Sequence, residues 1–211
     1  MYSIFPSLAP DFNLEQVLTM TEETRRIAQE LGISIEPMPP SVRMVLRGGR
    51  QDPMPVFKSV CKQLGLEVPS QMLRSTTKGG TRVSWLGPDE LYLSSDAETL
   101  AAKMLALCEP GAVAGGAAVD VSHRFCGLEF TGARAVEVLM AQAPLDLTDG
   151  AFPVGKATRT LFCKVEVILV RRSKQAYSIE FGRSFLNYVT ELSGTITRDI
   201  VALNRTGTST G

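Results

Sequence analysis

The sequence predicts an α+β fold made of two tandem halves with antiparallel sheets. Three observations carry this. Stretches that alternate apolar and polar residues, as half-buried strands do, are interleaved with segments whose apolar residues recur at i, i+3 and i+4, as in helices. Glycine and proline punctuate both kinds of segment. The order strand, helix, strand, strand, helix, strand then runs twice along the chain.

Residues 41–122 form the first predicted half. Val42-Arg43-Met44-Val45-Leu46-Arg47 alternates like a strand and Gly48-Gly49 breaks it. Asp52-Pro53 opens a helix with Val56, Phe57, Val60, Cys61 and Leu64 on one face. After a polar loop, Thr81 to Leu86 and Leu91-Tyr92-Leu93 make a hairpin across Gly87-Pro88-Asp89-Glu90. Ser95-Asp96 caps a helix through about Leu107, Pro110-Gly111 ends it, and Ala117 to Val121 closes the half as a strand.

Residues 123–204 repeat the order. Gly127 to Thr131 is a strand, Ala133 to Ala141 a helix, and Ala157 to Val170 one strand run that Arg171 to Lys174 turns into Tyr177 to Phe181. Ser184 caps a helix to about Leu192, Gly194 stops it, and Thr195 to Leu203 is the last strand. Each half resembles a ferredoxin-like split β-α-β unit. Residues 1–40 read as an extension, a loop with Pro6 and Pro10 followed by a helix from about Leu14 to Leu31. Residues 205–211 read as a flexible polar tail.

Composition narrows the chemistry. Lys plus Arg and Asp plus Glu each number 22 in 211 residues, so the net charge of zero offers no general grip on nucleic acid or an anionic membrane. No run approaches the ~20 apolar residues that span a bilayer, and the N-terminus lacks a secretory pattern, so a cytoplasmic soluble protein is expected. Cys61, Cys108, Cys126 and Cys163 form no C-x-x-C pair and read as reduced core thiols. The single histidine, His123, excludes a His-based metal cage.

No motif completes a catalytic set. Gly79-Gly80-Thr81 follows Lys78 without P-loop spacing. Asp120-Val121-Ser122-His123 places a carboxylate, a hydroxyl and an imidazole at a strand end. In an extended chain, however, Asp120 and Ser122 face away from His123, which reads instead as a hydrogen-bonded structural residue at the junction of the halves. Asp146 and Asp149 read as turn formers. Arginine outnumbers lysine 15 to 7, a hint of protein interfaces. Trp85 reads as core packing, and Arg183-Ser184-Phe185 as a helix start with an anchor, or with Arg183 paired to another subunit.

Several runs carry a family resemblance. Leu46-Arg47-Gly48, Leu64-Gly65-Leu66 with Pro69, Trp85-Leu86-Gly87-Pro88-Asp89-Glu90-Leu91-Tyr92-Leu93, Asp120-Val121-Ser122, Phe152-Pro153-Val154-Gly155, and Arg183-Ser184-Phe185 with Tyr188 together resemble the gamma subunit of heterotetrameric sarcosine oxidase. The resemblance runs from about Val42 to Leu192. It implies an assembly with alpha, beta and delta partners that demethylates sarcosine to glycine, passing the one-carbon unit to tetrahydrofolate and electrons to oxygen. It also implies that FAD, FMN, NAD and tetrahydrofolate are held by the larger subunits, zinc by the small one, and no cofactor by this chain.

The resembled fold is similar to the folate-binding module of glycine-cleavage aminomethyltransferase. Asp120-Val121-Ser122-His123 and Gly155-Lys156-Ala157 with Thr160-Leu161 match it. Where that module places a Gly-Gly loop and an Asp pair, this chain is expected to run straight through Phe162-Cys163-Lys164-Val165-Glu166-Val167 as strand, leaving no carboxylate to move protons at a folate-bound carbon. The resemblance therefore implies a non-catalytic assembly subunit. The alternative is a stand-alone folate-dependent aminomethyltransferase-like protein; a maturation factor for iron–sulfur proteins fits less well, because its reactive cysteine motif is missing. Trp85, Gly87, Pro88, Asp89, Phe152, Pro153, Gly155, Arg183, Ser184 and Phe185 are the candidate partner-contact or family-motif residues. An exposed apolar patch is expected near Trp85, Phe152 and Phe185, with self-association of the isolated chain as a corollary.

Overall fold

The computed structural model describes residues 26, 28–49 and 51–207. Of the helix expected from Leu14 to Leu31, only the end falls within them, where residues 26 and 28–30 are helical. The proline loop before it and residues 208–211 lie outside the described residues. The first described strand is β1 (Ser34–Pro37).

The chain forms two compact units. The first comprises Pro39–Phe125 with Gly155–Thr158. It carries β2 (Val42–Arg47), α1 (Met54–Leu64), β3 (Ser75–Lys78), β4 (Thr81–Gly87), β5 (Glu90–Ser95), α2 (Glu98–Leu107) and β6 (Ala117–Asp120). Its sheet order is β3-β4-β5-β2-β6. Helix α1 starts where the Met54 N–H donates to Asp52 Oδ1 at 3.0 Å, and it stops at Gly65, whose φ of +68° is the left-handed C-terminal conformation that glycine adopts without strain. Val56, Phe57, Val60, Cys61 and Leu64 are buried, as the helical spacing predicts. They meet Met44, Leu46, Leu91, Leu93, Ala101 and Met104 in one core, where each large side chain contributes about 1.5–3 kcal/mol. Strand β3 is an addition to the expected pattern. Its Ser-Thr-Thr-Lys sequence is polar because it is an exposed edge, so no apolar alternation marks it.

The second unit takes residues 28–38, Cys126–Val154 and 159 onward. Its elements are β7 (Phe125–Thr131), α3 (Ala135–Met140), β8 (Ala157–Phe162), β9 (Val165–Ser173), β10 (Ala176–Gly182), a 3-10 turn (Arg183–Phe185) and α4 (Leu186–Gly207). The sheet order is β1-β7-β10-β9-β8. Compared with the first sheet, β7 stands where β2 stands, β8, β9 and β10 where β3, β4 and β5 stand, and β1 where β6 stands.

Three expectations are corrected here. Thr195 to Leu203 is helix, not strand. Leu186, Val189 and Ile196 are buried at helical spacing with Leu192 and Ile200 packed against the same core, and that burial outweighs the ~1 kcal/mol cost of Gly194 in a helix interior. Helix α4 therefore passes the expected stop at Gly194 and includes residues 205–207 of the expected tail. It begins at Leu186, after a 3-10 turn that shows no side-chain cap, so Ser184 does not play the capping part. Finally, the run from Ala157 to Val170 is two strands, reversed at Cys163-Lys164, with Cys163 at φ +54°.

The strand that the second half lacks at its end comes from its other side. β1 pairs antiparallel with β7 from Ser34↔Thr131 to Pro37↔Leu128, and the Met38 N–H donates to Gly127 O at 2.9 Å. Ile33 and Ile35 sink into the second core beside Leu128, Phe130, Val138, Leu139, Ile179 and Phe181. Gly132 makes the close approach possible. Its φ is +117°, and a Cβ there would overlap the Gly32 carbonyl oxygen. Gly132→Ala is expected to lower stability by about 2 kcal/mol or more in urea denaturation, while Gly150→Ala, with open space around it, leaves the midpoint unchanged.

Candidate functional site

The Trp-Leu-Gly-Pro-Asp-Glu run is a self-locking hairpin. β4 and β5 pair antiparallel with a bulge between Trp85 and Gly87. The Trp85 indole N–H donates to Gly87 O at 2.7 Å, and its ring meets Phe57 edge-on at 6.1 Å. Pro88 is exposed at the tip. Next to it, the Arg47 guanidinium spans Asp89 at 2.9 Å and Glu90 at 2.5 Å, and the Gly48 N–H donates to Asp89 O at 2.9 Å. Trp85, Gly87 and Asp89 thus fix the turn and the half-buried indole lies on the first core, as expected for Trp85.

The Phe-Pro-Val-Gly run has a similar staple in Arg171, which is 3% exposed. Its guanidinium donates to Phe152 O at 2.8 Å, to Lys174 O at 2.9 Å and to Asp149 at 2.5 Å, and it stacks over Tyr177 at 5.3 Å. Phe152 itself is buried in the second core, which corrects its expected place on an exposed patch: its large apolar ring is worth more inside than on the surface. Pro153 is half-buried and Val154 exposed. Gly155 sits at φ +81°, and its carbonyl accepts the Ser75 N–H at 2.7 Å. Asp149 is therefore an ion-pair partner, and Asp146 a turn former that accepts the Thr148 N–H at 2.9 Å, a bond that lowers its pKa.

The Asp120-Ser122-His123 set does not converge. The Ser122 hydroxyl accepts the Arg43 N–H at 2.9 Å and donates to Asp120 at 2.5 Å, and Asp120 also accepts the Ser122 N–H at 2.8 Å. Both groups are occupied in tying the end of β6 to β2. His123 is exposed, two residues beyond the point where the chain leaves β2. The β8–β9 turn consists of Cys163 and Lys164 and carries no carboxylate.

Among the described residues no three His, Cys, Asp or Glu side chains gather as metal ligands. A shallow groove of about 270 Å³ in the first unit is lined by Glu67, Thr77 and Lys78, with Lys78 Nζ held by Gly65 O at 2.9 Å. Another, of about 230 Å³ in the second unit, holds the Arg171–Asp149 pair against Met140 and Tyr177. Neither brings two carboxylates together.

The second unit carries several exposed apolar side chains. Phe185 (47% exposed) and Tyr188 (42%) lie one helical turn apart, and the Tyr188 hydroxyl donates to Cys163 Sγ at 3.2 Å, two residues beyond Leu161 (45%). Ser184 is exposed beside them and Arg183 is half-buried. The contact of Tyr188 with Cys163 escapes a sequence reading, because the turn that places Cys163 lies inside an apparently continuous strand.

No disulfide joins the four cysteines. Cys61 and Cys126 are buried; Cys108 and Cys163 are half-buried, which modifies the core reading of all four. Burial pushes the Cys61 thiol up to about 11, and burial with the charges of Asp120 and Glu109 pushes Cys108 up to about 11.

These sheets and their strand order place the chain among proteins with the fold of glycine-cleavage aminomethyltransferases. The aminomethyltransferase T of Bartonella henselae aligns over 81% of this chain and 48% of that one, with a TM-score of 0.56 and 9% identity. Residues 47–194 match the sarcosine oxidase, gamma subunit family, and the chain belongs to that family. The sarcosine oxidase subunit gamma of Corynebacterium sp. (strain P-1) is 33% identical over 136 residues, 63% of this chain and 64% of that protein. That of an Arthrobacter species is 34% identical over 120 residues, 55% of this chain and 57% of that protein. The match thus spans less than two thirds of either relative. A chain in the heterotetrameric sarcosine oxidase of Corynebacterium sp. U-96, solved with pyrrole 2-carboxylate, has a TM-score of 0.71 at 22% identity, covering 85% of this chain and 91% of that one.

Two measurements check the site. Arg171→Met and Arg171→Lys are each expected to lower stability by about 2–4 kcal/mol in urea, since lysine lacks the fork that reaches several acceptors; exposed Asp149→Asn is expected to cost under ~1 kcal/mol. The Cys61 and Cys108 thiols have folded pKa values raised above the unfolded 9.0, so the stability they contribute is complete below pH 9 and lost as pH rises from 9 to 11. The melting temperature is expected to fall across that window, and less steeply in Cys61→Ala.

Proposed function

We propose that this chain is a non-catalytic structural subunit of a cytoplasmic heterotetrameric sarcosine oxidase, helping its alpha, beta and delta partners assemble for the oxidative demethylation of sarcosine. In this reading the flavins, NAD, tetrahydrofolate and zinc reside on those partners. The observation that carries it is the use made of the family motifs. Trp85, Gly87, Asp89, Phe152 and Gly155 hold hairpins and loops together, Asp120 and Ser122 bond each other, and the β8–β9 turn has no acid to offer a folate-bound carbon. Family membership and the likeness to a chain of a heterotetrameric sarcosine oxidase support the setting. No helix among the described residues is long and apolar enough to cross a membrane.

The partner contact in this proposal is the surface of Phe185, Tyr188 and Leu161, flanked by Arg183 and Ser184, with Pro88 and Pro153 at two further turns. Aromatic residues of this kind anchor interfaces when desolvated. Co-expression with the other three subunits tests the proposal. Omission of this chain is expected to lower the yield of assembled, active oxidase, and Phe185→Asp with Tyr188→Asp to lower it at least tenfold while the chain alone stays folded; full assembly and turnover without the chain would refute the subunit role. The aminomethyltransferase-like alternative draws on the shared fold. It is excluded by calorimetry showing no heat from tetrahydrofolate and favoured by micromolar binding.

A further inference from the structure

Among the described residues four strands end the two sheets, and three of them are guarded against pairing. β1 carries Glu36 and Pro37 and runs into Pro39-Pro40. β3 ends on Lys78, and its start is taken up where the Ser75 N–H donates to Gly155 O and Arg74 bridges Lys156. β8 carries Arg159, ion-paired to Glu166 at 3.0 Å. The fourth, β6, reads Ala117-Ala118-Val119-Asp120; it has no proline, lysine or bulge, and its one charge lies at its end, bonded to Ser122.

Its register with β2 is regular from Arg47↔Ala117 to Met44↔Asp120, and among the described residues β2 is its one neighbour in the sheet. The Val121 N–H donates to Arg43 O at 2.9 Å, which sets the phase of the ladder. Since antiparallel ladders alternate, the main-chain groups of Ala117 and Val119 face β2 while those of Ala118 and Asp120 point outward. Val119 is 52% exposed beside them.

We propose that β6 is a docking edge that takes an extended segment of a partner subunit as a sixth strand, which rests on the subunit role proposed above. The outward N–H and C=O groups are the specific feature, because an extended main chain presents the matching alternation and a helix does not. Charge narrows the segment further. Asp120 is the strand's one charge and lies at its end, so the incoming strand sets a small or apolar residue near Val119 and a neutral or basic one near Asp120, an acidic one there being repelled.

Hydrogen exchange on the co-expressed oxidase and on the isolated chain tests this. The Ala118 and Asp120 amides are expected to exchange fast in the isolated chain and at least tenfold more slowly in the assembly. Val119→Lys, an exposed change that spares the main chain, and Ala118→Pro, which removes an outward donor on an edge strand and no bond to β2, are both expected to lower co-purification at least fivefold, whereas Thr77→Lys on β3 leaves it unchanged. Assembly with β6 amides as exposed as in the isolated chain overturns the docking edge and leaves the subunit role standing. Failure of the wild-type chain to co-purify overturns both. Protection that appears in the isolated chain with a doubled mass assigns the edge to a second copy and overturns the partner assignment.

Discussion

In each half the first strand lies inside the sheet, between the second strand of the hairpin and one further strand, and that outer strand must come from somewhere in the chain. β2 gains β6 from the chain just after α2. β7 has no such supply, because the residues after the 3-10 turn run on as α4 through Gly207. The vacancy is filled by β1, which precedes the whole first half in sequence and yet brings Ile33 and Ile35 into the second core. The rest of the second unit depends on this pairing: a bare β7 edge would leave main-chain groups unpaired and one flank of the core open to water.

Around this frame, two arginines hold the irregular parts in place. Arg47 gathers the two carboxylates of the β4–β5 turn, and Arg171 gathers the carbonyls of the Phe152 loop and of the β9–β10 hairpin. A guanidinium suits both places because its donors are fixed in a plane and reach several acceptors at once. The polar residues that look catalytic in sequence serve the same end. Ser122 substitutes for a main-chain acceptor at Arg43, and Asp120 orients Ser122.

Much of the first half is legible in the sequence. The face of α1, the β4–β5 hairpin and the closing strand follow from apolar spacing and turn chemistry, because each segment buries one side and exposes the other. Legibility fails where burial is not one-sided. β3 is polar throughout, as an exposed edge, so it gives no alternation. Thr195 to Leu203 is rich in β-branched residues and follows a glycine, which favours a strand locally, but Ile196 and Ile200 continue the side of a helix that Leu192 begins, and the core decides. The reversal at Cys163-Lys164 lacks the usual Asn-Gly or Gly signal, and Cys163 takes a positive φ that its identity does not advertise. For the candidate site, the sequence marks the runs that carry the resemblance, and the structure places Trp85 and Phe152 on the two cores and Gly87, Asp89 and Gly155 in bonded turns.

The position of β1 has a practical consequence for anyone who trims the gene. The stretch recognisable as the family begins at residue 47, whereas β1 and the buried Ile33 lie ahead of it. A fragment cut at the recognisable boundary keeps nearly all of the signature residues and discards part of its own interior, so its aggregation would be a fault of the scissors, not evidence that the protein needs company to fold.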